Sequence, residues 1–107
     1  MVIVNTQQEA FDMIENDSMV ILYFSSENCT TCTALKLKVK QLLTKYPKVT
    51  SGEIKGQVLS KFAAEFNVFS PPIIILYVDG KETIREGRYA SIGELEEKIK
   101  RYYEMIF

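Results

Sequence analysis

The segment Met19-Val20-Ile21-Leu22-Tyr23-Phe24-Ser25 is apolar at almost every position and only as long as a strand, and it constrains the fold more than any other stretch. A strand with one face in water alternates apolar and polar residues, whereas an unbroken apolar run needs cover on both faces, as in the centre of an α/β sheet. A second such run, Ile73-Ile74-Ile75-Leu76-Tyr77-Val78, follows Ser70-Pro71-Pro72. It stops at Asp79-Gly80, a hairpin turn signal, so Lys81 to Glu86 is expected to return antiparallel to it.

Helical patterns separate these runs. Thr6 followed by Glu9 is a capping-box signal, and Ala10, Phe11 and Ile14 then make one apolar face, which predicts a helix over Gln7 to Glu15. From Thr30 to Tyr46, Leu35, Val39, Leu42, Leu43 and Tyr46 recur at helical spacing until Pro47. Leu59, Phe62, Ala63 and Phe66 predict a short helix over Val58 to Phe66. Ser91 and Glu94 form a second capping box, with Ile92, Leu95, Ile99, Tyr103 and Ile106 along one face of a closing helix. Val2-Ile3-Val4 reads as a short edge strand, and Val49 to Ile54 as a weaker strand interrupted by Gly52. This order predicts an α/β domain over residues 1–107, a central mixed sheet with helices on both faces. Ligands of such sheets bind at the carboxyl ends of the parallel strands.

The 107 residues are 47% hydrophobic, enough for one core. A formal net charge of -1 supplies no positive field for a phosphate backbone, so no nucleic-acid partner is expected. Met1 to Gln8 lacks the basic and apolar runs of a signal peptide, and no segment is apolar for long enough to span a bilayer. A cytoplasmic protein without a membrane partner is expected. The sequence has no histidine, which removes Cys-His and Ser-His nucleophiles and the commonest metal ligand.

The two cysteines, Cys29 and Cys32, lie three apart at the junction of the apolar strand and the next helix. The first turn of a helix directs unpaired N–H groups at a sulfur placed there and favours its thiolate. Cys29 takes that place, as a nucleophile toward a disulfide. Cys32, one turn on, is within reach to resolve the mixed disulfide. The alternative is a pair of ordinary buried thiols, since free cysteine behaves as a small hydrophobe. Thr30 and Thr31 can bond the thiolate or pack; packing is the expectation. Lys36, Lys38, Lys40, Lys45 and Lys48 crowd one region, expected as a solvated helix face rather than a surface that steers an acidic partner. Tyr102, Tyr103 and Phe107 could form a dimer surface, but core packing of Tyr103 and the helix end in a monomer is the expectation.

The chain resembles the thioredoxin family over nearly its whole length. The resemblance rests on the apolar strand before Cys29-Thr30-Thr31-Cys32, the helix after it, and the run from Pro72 through Ile73–Val78 to Asp79-Gly80. It implies a thioredoxin-like three-layer fold, a cis peptide bond at Pro72, and a substrate groove formed by Asn28, Thr30, Thr31, Pro71 and Pro72. It also implies a disulfide-containing substrate protein and a reductase that regenerates the dithiol. No bound cofactor or metal is expected, because the electrons reside on the two sulfurs.

Three departures from the family pattern stand out. The usual Trp-Cys-Gly-Pro-Cys is here Asn28-Cys29-Thr30-Thr31-Cys32. The buried aspartate six positions before the first cysteine is here Tyr23, whose phenol, with an ordinary pKa near 10, is a poor base at neutral pH. Proton transfer from Cys32 is therefore expected to use water or Glu27, or to be slower, with Glu27 and Tyr23 the two candidate side chains. Pro71 lacks the N–H that another residue would offer beside Pro72, a hydrogen bond worth about 1 kcal/mol. These departures keep a second reading open: a thioredoxin-fold adaptor or redox-sensing module whose thiols do not turn over. A third, half of a metal or iron–sulfur site completed across a dimer, has too few ligands per chain to be favoured.

Overall fold

The structure is a computed structural model that describes residues 1–107, the side chain of Gln57 excepted. In chain order its elements are β1 (Val2–Ile3), α1 (Gln7–Asn16), β2 (Met19–Ser25), α2 (Thr30–Leu43), β3 (Thr50–Lys55), α3 (Leu59–Phe66), β4 (Ile73–Val78), β5 (Lys81–Glu86) and α4 (Ile92–Ile106). The strands form one five-stranded sheet in the order β1-β3-β2-β4-β5. β1, β3 and β2 run parallel, while β4 is antiparallel to β2 and β5 to β4.

The unbroken apolar character of β2 and β4 follows from their central positions. Met19, Ile21 and Tyr23 of β2 face one layer with Leu35, Val39 and Leu42 of α2 and Leu95 and Ile99 of α4. Val20, Leu22 and Phe24 face the other, with Ala10 and Ile14 of α1 and Phe62 and Phe66 of α3. Met19 through Phe24 are fully buried. Each large apolar side chain so buried contributes about 1.5–3 kcal/mol. The structure is therefore the three-layer α/β fold that the resemblance implies.

Several boundaries differ from the sequence expectation: α1 runs one residue further, to Asn16, and β3 is shifted by one, to Thr50–Lys55. β1 stops at Ile3: Val4 keeps one backbone bond to the Glu53 carbonyl at 2.9 Å but turns its side chain into the core. α2 ends at Leu43 rather than Tyr46, because Pro47 disfavours helical backbone at the residue before it. The backbone N–H groups of Lys45 and Tyr46 then reach back only three residues, to Leu42 and Leu43. Tyr46 still enters the core. α3 starts one residue late, after a tight 3-10 turn over Gly56–Val58.

Gly52, which made β3 the weakest strand to read, sits where no side chain fits: a Cβ there would meet Val4 Cγ2 at 2.7 Å. The glycine belongs to the strand because Val4 and Met13 pack down upon it. Asp79 and Gly80 both have positive φ, 50° and 81°, the geometry of the expected hairpin turn. No helix among the described residues is long and apolar enough to cross a membrane.

Candidate active site

β2 ends at Ser25, and a short loop carries the chain to α2. Asn28 adopts φ 55° in this loop, a left-handed conformation that asparagine tolerates better than most residues. The reversal sets Cys29 at the N-cap of α2, where its Sγ accepts the backbone N–H of Cys32 at 3.2 Å. The two cysteines are joined by a disulfide, with Cα atoms 5.2 Å apart. Cys29 is partly exposed, whereas Cys32 is 2% exposed. One sulfur can be reached from solvent and the other is shielded. Once the bond is reduced, the N–H groups of the first helical turn favour the thiolate of Cys29 over that of Cys32.

Of the residues expected to form a groove, Asn28, Thr30 and Thr31 adjoin the pair in the chain. Thr30 and Thr31 are both exposed, a correction to the expectation that they pack, because the first turn of α2 lifts them off the sheet. The Pro71–Pro72 peptide bond is cis. Pro72 is buried and directly precedes Ile73, which pairs with Phe24, so the proline and the exit of β2 toward Cys29 share one end of the sheet. Pro71 is half-buried and lines a shallow cleft of about 450 Å³ with Leu59, Val68 and Phe69. Phe69 is 71% exposed and Tyr89 91%.

Beneath the cysteines, the structure assembles a polar cluster that sequence reasoning missed. Tyr23 of β2 and Glu53 of β3 are register partners in a parallel pair and project to the same face as α2. The Tyr23 hydroxyl donates to the Cys32 carbonyl at 2.5 Å. Burial, followed by the Glu53 charge, pushes its pKa up to about 12. Glu53 is only 4% exposed; it accepts from Ser25 Oγ at 3.2 Å and from Lys36 Nζ at 3.2 and 3.4 Å. Lys36 is thus no member of a solvated face: one turn beyond Cys32, it is drawn inward by the carboxylate. Ser25, Cys32, Lys36 and Glu53 line a cleft of about 570 Å³, with Glu27, which is exposed, among the residues at its edge. The signal for Glu53 was a lone acid inside a strand between Gly52 and Ile54; nothing local to β3 revealed that it faces Cys32.

The thioredoxin family model matches residues 2–101. The chain belongs to the thioredoxin family. It is similar to the thioredoxin-like protein YdfQ of Bacillus subtilis, 31% identical over 94 residues that cover 88% of this chain and 84% of the relative. It is also 31% identical to thioredoxin-1 of Schizosaccharomyces pombe, over 91% of this chain and 93% of that one. Among solved structures, Fasciola hepatica thioredoxin superposes with a TM-score of 0.82 at 25% identity, covering 95% of this chain and 99% of its own. The oxidised thioredoxin of Plasmodium falciparum gives a TM-score of 0.81 at 22% identity, over 96% and 98% of the two chains. Family and linked cysteine pair together make this member a thiol–disulfide oxidoreductase.

Proposed function

We propose that this thioredoxin-family protein is a protein-disulfide reductase acting as one domain over residues 1–107, with Cys29 as nucleophile and Cys32 as resolving thiol. The observation that carries the reading is the unequal placement of the two sulfurs: Cys29 partly exposed at the N-cap of α2, Cys32 buried one turn away. The Cys29 thiolate attacks one sulfur of the substrate disulfide; a Cys29–substrate bond forms, and the other substrate sulfur leaves as a thiolate. Cys32 then attacks Cys29 Sγ, the Cys29–Cys32 bond forms, and the second substrate sulfur leaves with its electron pair. The substrate has gained two electrons, and a partner reductase restores the dithiol.

Asn28, Thr30, Thr31, Pro71 and Pro72 form the groove for an extended substrate segment in this reading. The exposed Phe69 beside Pro71 adds an apolar rim for it. A monomer in the cytoplasm, meeting disulfide-containing proteins, completes the proposal. Reduction of insulin disulfides tests it: Cys29→Ser abolishes turnover, and Cys32→Ser accumulates the mixed disulfide. Equal activity in both variants contradicts the assignment. The adaptor reading draws on Tyr23, whose hydroxyl is committed to the Cys32 carbonyl and leaves no acid at that position. A free-thiol pKa at Cys29 with no turnover would select it.

A further inference from the structure

Resolution of the mixed disulfide requires Cys32, which is 2% exposed, to lose its proton, and burial disfavours a charged thiolate. The position six residues before Cys29 offers no base: the Tyr23 hydroxyl donates to the Cys32 carbonyl and, with a pKa near 12, stays protonated at neutral pH. Glu27 is exposed at the edge of the cleft. Glu53 differs from both. It is a buried carboxylate on the neighbouring strand, and it lines the same cleft as Cys32.

We propose that Glu53 is the proton acceptor for Cys32 during resolution, reached through water in the cleft, with Lys36 and Ser25 positioning its carboxylate. The cleft, about 570 Å³ and open to solvent, has ample room for a bridging water. Lys36 Nζ and Ser25 Oγ hold the carboxylate from two sides, each donating to it. The ionisable groups facing it are Lys36 from α2, Tyr23 from β2, Lys55 further along β3 and Glu27 from the loop before α2. β1, on the other side of β3, contributes only Val2 and Ile3.

The step balances as follows. Cys32 Sγ forms its bond to Cys29 Sγ while the Cys29–substrate bond breaks and the electron pair leaves with the substrate sulfur. The Cys32 proton passes through water to Glu53, which later returns it to the departing thiolate or to solvent. The family's acid–base function is in this way moved from β2 to β3, leaving the phenol of Tyr23 a structural hydrogen bond. This inference rests on the reductase reading, with Cys32 as the resolving thiol.

The test separates the two. Reduced protein is mixed with excess aromatic disulfide, 5,5'-dithiobis(2-nitrobenzoate), in a stopped-flow instrument. The first equivalent of chromophore reports attack by Cys29 and the second reports resolution by Cys32. Glu53→Gln is expected to slow the second phase at pH 7 about tenfold or more, the low end of what general bases contribute, while the first changes less than twofold. The deficit closes as pH rises and hydroxide replaces the carboxylate, and Glu53→Asp recovers part of the rate. Lys36→Gln, which removes the ammonium bonded to the carboxylate, is expected to slow the second phase more than the first. An unchanged second phase in Glu53→Gln, or equal slowing of both phases, overturns the role of Glu53. If Glu53→Gln does not fold, an unchanged second phase in Lys36→Gln does the same. Absence of a second equivalent from the unaltered protein instead overturns the reductase reading itself.

Discussion

Tyr23 has no exposed surface, and its hydroxyl donates to the first turn of α2 at the Cys32 carbonyl. That bond ties the active-site helix to the central strand, so its value is mechanical. Tyr23→Phe is expected to lower stability by about 1 kcal/mol in urea unfolding, the usual net contribution of one hydrogen bond. The pH profile of disulfide reduction is expected to stay in place, the hydroxyl being committed to the Cys32 carbonyl. A shifted profile would return the proton-transfer role to the phenol. Both cysteines and Pro72 were legible in the sequence, since spacing and a flanking apolar strand mark them. Glu53 and Lys36 were not, because each gains meaning only from the other, 17 residues away, where α2 meets β3.

The helices that read most clearly from the sequence are those with a side-chain cap. Thr6 accepts the Glu9 N–H at 3.1 Å at the start of α1, and Ser91 accepts the Glu94 N–H at 3.3 Å at the start of α4. Ser91→Ala is expected to cost about 1 kcal/mol, visible as a drop of about 4–8 °C in Tm. Because α4 covers the same face of the sheet as α2, this loss is global rather than local. The caps fixed these starts without help from tertiary packing. The end of α2 was harder to read: Tyr46 keeps the apolar rhythm although the helix has already given way to tighter turns. The rhythm reports which side chains reach the core, and the backbone there answers to Pro47.

At the scale of the molecule, the sheet separates two apolar layers, and each contains a tyrosine whose phenol is held neutral. Tyr23 lies in the layer under α2 and α4, and Tyr77 in the one under α1 and α3. Burial first, then the charge of Glu53 or Glu82 respectively, raises each pKa from 10.0 to about 12. A folded-state pKa above the unfolded value means that the folded chain binds more protons between the two. The resulting stability is complete below pH 10 and is lost as pH rises to about 12. Each tyrosine accounts for about 2 kcal/mol of that loss. Urea unfolding at pH 9 and pH 11.5 checks this: Tyr77→Phe is expected to fall less steeply between the two than the unaltered protein.

The sequence by itself determined the two central strands, the hairpin, the capped helices and the cysteine pair, because each depends on residues within about one turn or one strand of each other. Only the tertiary structure decided that β4 runs antiparallel to β2 and that β3 lies beside β2. It alone brings a carboxylate from one element and an ammonium from another to the buried face of Cys32. Strand order is set by which faces can be buried together, a property of the whole chain, and the environment of the second sulfur depends on that order.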